Sequence, residues 1–137
     1  QLIVDDICRS HQGRVKVIRL QEVSGPSYAR NVGIRGASGQ IVCFTDADCI
    51  VDKLWIRKLV DGFTSRQVGG VQGCTRAYGD AKSILFRTDA PVGREGFATC
   101  NIAYRRDVLH DVGLFDESFC TGKLKKPFRE DTDLVGS

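Results

Sequence analysis

Apolar and polar positions along the chain fall into short blocks whose period switches between two and about 3.6. Residues 2–4 (LIV) are an apolar run ending in Asp5-Asp6 and read as a strand. Residues 15–20 (VKVIRL) alternate, the pattern of a second strand nearer a sheet edge. Ser24-Gly25-Pro26-Ser27 starts a helix, with Ser or Gly as the cap and Pro in the first turn. That helix runs to about Ile34, where Gly36 or Gly39 stops it. Residues 40–45 (QIVCFT) are apolar, β-branched and aromatic, as in a buried strand. A helix over residues 53–63 sets Ile56, Leu59, Val60 and Phe63 on one face. Gly69-Gly70 breaks the chain before a strand at 71–75. Residues 76–94 read as a loop with one helical turn, and 97–104 as a strand. Residues 105–112 form a short helix closed by Gly113 at the C′ position. Leu114-Phe115-Asp116 turns back, 120–129 is a polar basic loop, and Glu130-Asp131 opens a last helix with acids at its positive end.

Strands alternating with helices predict an α/β fold with a mainly parallel sheet flanked by helices, as one domain over residues 1–137. The first strand begins at residue 2 and the last helix has barely begun at Ser137, so the domain reads as truncated at both ends.

Composition narrows the class. Hydrophobic residues at 42% and charged residues at 27% suit a soluble globular domain, and no run approaches the ~18 apolar residues of a membrane span. No signal-peptide pattern opens the chain. A net charge of +3 fits a small anionic substrate or peripheral contact with a membrane surface and is too weak to argue for nucleic acid. The six cysteines, Cys8, Cys43, Cys49, Cys74, Cys100 and Cys120, include no C-x-x-C, and His11 and His110 are far from zinc-like spacing. Reduced thiols in a cytoplasmic compartment are the expectation.

The chemistry centres on Thr45-Asp46-Ala47-Asp48. In a parallel α/β sheet the carboxyl ends of strands are where ligands bind. Two acids flanking a small residue can face one hard cation, and Mg²⁺ takes one or two protein carboxylates and completes its shell with water and phosphate oxygens. The competing reading is that Asp46 and Asp48 only cap the next turn. Acidic pairs recur at Asp5-Asp6 and Glu130-Asp131. If a parallel sheet gathers all three, their mutual repulsion calls for a divalent metal.

The segments GPSYARNVG (25–33), ASG (37–39), IVCFTDADC (41–49), GGVQG (69–73), NIAYRR (101–106), GLFDESF (113–119) and EDTDL (130–134), with Trp55 and Leu59 between them, resemble in order the family 2 glycosyltransferases. The resemblance implies a GT-A, Rossmann-like nucleotide-diphosphosugar transferase. Such an enzyme moves a sugar, with inversion, from a UDP- or GDP-linked donor to a saccharide or lipid-linked acceptor. It acts in polysaccharide and cell-envelope biosynthesis at the inner face of the membrane. Asp5 or Asp6 would bind base or ribose, and Arg30 would stand near the nucleotide unless it serves a surface ion pair. Asp46 would contact ribose or metal-bound water, and Asp48 would ligate Mg²⁺ or Mn²⁺. Asp131 would be the base that takes the acceptor proton, and Glu130 would orient the acceptor. Asn101 either binds a sugar hydroxyl or satisfies backbone groups. The run 123–129 (KLKKPFR) either folds over phosphates or is a solvated loop.

The chain departs from the family pattern in lacking its first S-V-I-I-P-x-Y-N strand and helix, in following Asp5-Asp6 with Ile7-Cys8 instead of Gly-Ser, and in ending soon after E-D-x-D-L. A missing central strand would leave backbone groups unpaired at about 1–3 kcal/mol each. The fragment is therefore expected to pair with a second copy or rearrange, and to be weakly active or inactive alone. The alternatives are a nucleotidyltransferase making nucleotide sugars, which wants a Gly-rich phosphate loop not found here, and a non-catalytic nucleotide-sugar-binding module.

Overall fold

The computed structural model describes residues 2–11, 13–21, 25–75 and 99–120. In chain order the elements are α1 (Leu2–Ser10), α2 (Gly25–Gly36), β1 (Ile41–Phe44), α3 (Trp55–Asp61) and β2 (Gly70–Gln72). A 3₁₀ turn (Thr99–Asn101), β3 (Ile102–Arg105), α4 (Arg106–Asp111) and a second 3₁₀ turn (Glu117–Cys120) follow.

The sheet corrects the expected fold class. Among the described residues it has three strands in the order β1-β3-β2, and both pairings are antiparallel, not mainly parallel. β1 and β2 each oppose β3, so they run in the same direction, as a strand–helix–strand crossover requires. Between them, however, lies a strand from about thirty residues later in the chain. Helix–strand alternation carries no information about where such a strand inserts.

The amino-terminal strand is also corrected: it is helix α1. Three consecutive apolar residues fit a strand and a helix equally, and the following positions restore a helical period. Val4 lies three and four positions before Ile7 and Cys8, while Asp5, Asp6, Arg9 and Ser10 are polar. Arg9 donates to Asp6 at 2.8 Å, and the Ser10 hydroxyl donates to the Asp6 carbonyl at 2.8 Å. Residues 15–20 join no sheet among the described residues, and their apolar side chains Val15, Val17, Ile18 and Leu20 are exposed. The strand expected at 97–104 begins only at Ile102, after the first 3₁₀ turn.

Register assigns the two faces. Val42 stands opposite Tyr104 and Phe44 opposite Ile102, so these four side chains share one face. That face packs with Ile34 of α2, Leu109 of α4, Phe115 and Leu114. Phe44 meets Tyr104 and Phe115 edge-on, with ring centroids 6.3 and 5.6 Å apart. Ala103, fully buried, and Val71 point the other way, toward α3, which buries Leu59. On that face Arg105 donates to the carbonyls of Val68 and Ser65 and lies 5.2 Å from the Phe63 ring, tying down the chain that leaves α3. Gly70 is obligatory in β2, because a Cβ there would come within 2.7 Å of the Tyr104 ring.

α4 ends as its sequence predicts. Gly113 has φ of 92°, its N–H donates to His110 O at 3.3 Å, and Leu114 N–H reaches back to Leu109 O at 2.9 Å. This is a Schellman cap, with Leu114 packed on the core next to Leu109. Leu114 also has positive φ, 68°, and the paired left-handed residues redirect the chain so that Phe115 enters the core. Gly113→Ala is expected to cost about 1–2 kcal/mol, read as a lower urea midpoint at unchanged slope. An unchanged midpoint would show that the cap relaxes.

Candidate active site

The inner face of α2 is polar where a core helix is usually apolar. Ser27, Asn31 and Ile34 follow at i, i+4 and i+7, and all three are buried. Asn31 acts as a clamp. Its Nδ2 donates to Phe115 O and to Glu117 Oε1, both at 2.8 Å, and its Oδ1 accepts from Phe115 N–H at 3.0 Å. Arg35 adds an ion pair to Glu117 at 3.6 Å. Asn31 thus fixes the turn that follows α4 against α2. On the same turn Asp116 accepts from Ser118 N–H at 2.8 Å, and this bond holds its carboxyl below the usual range.

Next to this clamp, Arg30 donates to Thr99 Oγ1 at 2.7 Å, and its guanidinium lies 5.5 Å from the Phe115 ring centroid. The predicted nucleotide-facing arginine therefore joins α2 to the first 3₁₀ turn. Asn101 ends that turn. The Trp55 indole N–H donates to Asn101 Oδ1 at 2.8 Å, and because an indole nitrogen only donates, the amide orientation is fixed. Asn101 Nδ2 donates to Cys74 O at 3.0 Å and to Thr75 Oγ1 at 3.4 Å, and Asn101 O accepts from Gly73 N–H. Its amide thus draws the start of α3, the end of β2 and the start of β3 together.

The D-A-D segment leaves the carboxyl end of β1 as an exposed turn closed by Cys49 N–H donating to Asp46 O at 3.2 Å. The first 3₁₀ turn packs against this strand. Burial pushes the Cys100 thiol up and the Asp46 carboxylate adds to the shift, opposed by the Thr75 hydroxyl. Cys43, on β1, is pushed up by burial alone. Beyond the turn Asp52 precedes α3. It accepts from Leu54 N–H and pairs with Lys58 at 3.2 Å, and the two hold its carboxyl low, the backbone bond more strongly.

Asp5 and Asp6 stand within α1 and not at a strand end. Asp6 pairs with Arg9 at 2.8 Å and Asp5 with Arg19 at 3.7 Å, both in exposed ion pairs. Glu130 and Asp131 lie outside the described residues. Among the described residues no three His, Cys, Asp or Glu side chains are grouped to hold a metal. Two carboxylates on one exposed turn still match the donor set of Mg²⁺, which needs only one or two from protein. Sequence reasoning missed the roles of Asn31, Glu117 and Trp55. The signal for Asn31 was present: a carboxamide at the core position of a helical face needs a partner.

Among the described residues no helix is long and apolar enough to cross a membrane. A family model described as glycosyl transferase family 2 matches residues 2–130. Glycosyltransferase AglE of Haloferax volcanii is 28% identical over 118 residues, which covers 79% of this chain and 39% of AglE. The chain therefore spans well under half the length of that relative. A family match over residues 2–130, nearly the whole chain, places this chain in glycosyl transferase family 2.

Proposed function

We propose that this chain is the donor-binding core of an inverting, metal-assisted transferase that moves a sugar from a UDP- or GDP-linked donor to the hydroxyl of a saccharide or lipid-linked acceptor. The observation that carries the reading is the exposed Asp46-Ala47-Asp48 turn at the carboxyl end of β1, next to the turn that Arg30 grips. Asp48 and Asp46 would hold Mg²⁺ or Mn²⁺. A cation bound there neutralises the donor diphosphate as the sugar bond breaks. Arg30, already fixed by Thr99 and Phe115, would meet the nucleotide without a large loss of side-chain freedom. Asp5 or Asp6 would accept from base or ribose. Their present ion pairs are exposed, and such pairs are worth only ~0–1 kcal/mol. Asn101 would hold Trp55 against the first 3₁₀ turn, and Glu130 would orient the acceptor for Asp131.

The test is calorimetry of UDP and GDP binding with and without Mn²⁺. Asp48→Ala is expected to lower the Mn²⁺-dependent affinity at least tenfold, about 1.4 kcal/mol, and to leave the metal-free affinity unchanged. Equal Mn²⁺-dependent affinities for wild type and variant would overturn the metal assignment.

A further inference from the structure

Both amide hydrogens of Asn101 are engaged within the chain. Nδ2 donates to Cys74 O at 3.0 Å and to Thr75 Oγ1 at 3.4 Å, while Oδ1 accepts the Trp55 indole N–H at 2.8 Å. A Cβ at Gly73 would overlap the same amide, so that position needs glycine. The register of β1 on β3 ends at Phe44 opposite Ile102, and the next residues outward are Thr45 and Asn101. Asn101 therefore stands beside the start of Thr45-Asp46-Ala47-Asp48, and it holds the indole at the same end of the sheet as the acidic turn. Trp55 is half-buried. The one polar atom of its side chain is turned to Asn101, so the remaining ring surface is carbon. Its neighbours Leu54 and Ile56 are 53% and 59% exposed. We propose that Trp55 is a substrate-contacting residue, whose indole carbons form the apolar wall for the sugar ring of the nucleotide-diphosphosugar donor.

This role rests on the proposed function, in which a cation at Asp46 and Asp48 takes the donor diphosphate. The sugar is bonded directly to that diphosphate, so it lies close to the turn wherever the diphosphate binds. A pyranose carries its hydroxyls around the rim and C–H groups on its faces. A flat aromatic carbon surface covers such a face without competing for the hydroxyls, and a few polar groups at the rim set the orientation. The indole is suited to this because its own N–H is already satisfied and needs no partner on the ligand. The ribose is equally near the diphosphate, and the sugarless nucleotide tells the two rings apart.

The experiment follows the emission of Trp55, the single tryptophan of the chain, as the protein is titrated in Mn²⁺ with UDP-glucose, UDP-galactose, GDP-mannose, UDP or GDP. Calorimetry of the same mixtures reports binding independently. The expected result is a saturable shift or quench with a nucleotide sugar that binds, and none with UDP or GDP. Trp55→Leu is expected to weaken nucleotide-sugar binding roughly three- to tenfold while holding UDP or GDP affinity within about twofold. Trp55→Phe, which keeps a flat ring, should recover part of the loss. A tryptophan that only supports the fold would weaken both kinds of ligand equally, and that outcome would overturn the proposal. So would calorimetric binding of the nucleotide sugars with unchanged emission, or an emission change already complete with UDP or GDP, which would put ribose or base on the ring. Calorimetric binding absent for every nucleotide and nucleotide sugar would instead overturn the proposed function, and the sugar wall with it.

Discussion

Replacing Asn31 with leucine is expected to cost about 3–5 kcal/mol of folding stability, a loss on the order of a hundredfold or more in the folding equilibrium. The substitution keeps the number and branching of the side-chain heavy atoms and raises helix preference, so neither accounts for a loss. It removes three hydrogen bonds and leaves the N–H and C=O of Phe115 without partners where the residue is 2% exposed. Each buried backbone group so stranded costs about 1–3 kcal/mol, more than the added apolar burial returns. Domains of this size hold only about 5–15 kcal/mol in total. Asn31→Asp separates the contributions. A carboxylate can still accept from Phe115 N–H, but it cannot donate to Phe115 O and it faces Glu117 at close range. Urea unfolding followed by the fluorescence of Trp55, the single tryptophan, on α3 across the sheet, reads both variants. A cost under ~1 kcal/mol for leucine would show that water enters and replaces the clamp.

Asn31 also shows what a sequence pattern can and cannot convey. The helices α2, α3 and α4 and the strands β1 and β2 fall close to where periodicity and punctuation put them, because a Gly or Pro stands within two residues of an end of each. α1 was misread because Leu2-Ile3-Val4 is apolar at three consecutive positions, a block that fits a strand and a helix equally. Only Ile7 and Cys8 downstream decide for the helix. The sheet was misread for a different reason. Alternation correctly gives β1 and β2 the same direction, but β3 enters between them through pairing across sixty residues, which no local pattern records. Its placement follows from packing: Ile102 and Tyr104 match Phe44 and Val42 on one face, while Ala103 leaves room on the other.

The site was legible to the same degree. The acidic turn stands at the end of its strand, where the apolar run of β1 stops, whereas Arg30 lies mid-helix in α2 and Asn101 ends a 3₁₀ turn inside the segment that reads as a strand. The proposed gathering of three acidic pairs depended on the parallel sheet. Asp5 and Asp6 stand on an exposed helix, so that pair leaves the gathering, and among the described residues the electrostatic argument for a metal rests on Asp46 and Asp48. Two carboxylates on one turn repel less than six would, so the demand for a cation is weaker. The fit to a cation that also binds a diphosphate is unchanged, since the remaining ligands then come from the substrate.

Asp131→Asn is expected to lower kcat by 10²- to 10⁴-fold, the range a positioned general base contributes, with donor affinity held within about twofold. Asp131 lies outside the described residues, and the expectation rests on its place in Glu130-Asp131-Thr132-Asp133-Leu134. An amide of the same shape can keep any hydrogen bond the carboxylate accepts, yet it cannot take the proton that the acceptor hydroxyl must lose as its oxygen attacks the sugar. The loss should therefore appear in kcat and in kcat/KM for the acceptor, and not in calorimetric binding of UDP or GDP with Mn²⁺. Asp48→Ala should show the reverse order, with donor binding lost first. This split distinguishes a transferase from a nucleotide-sugar-binding module, in which Asp131→Asn would change nothing measurable. Equal transfer rates for wild type and Asp131→Asn in a protein that turns over would remove Asp131 as the base. The acceptor proton would then have to go to another carboxylate, and Glu130, its neighbour in sequence, is the first to test by the same substitution.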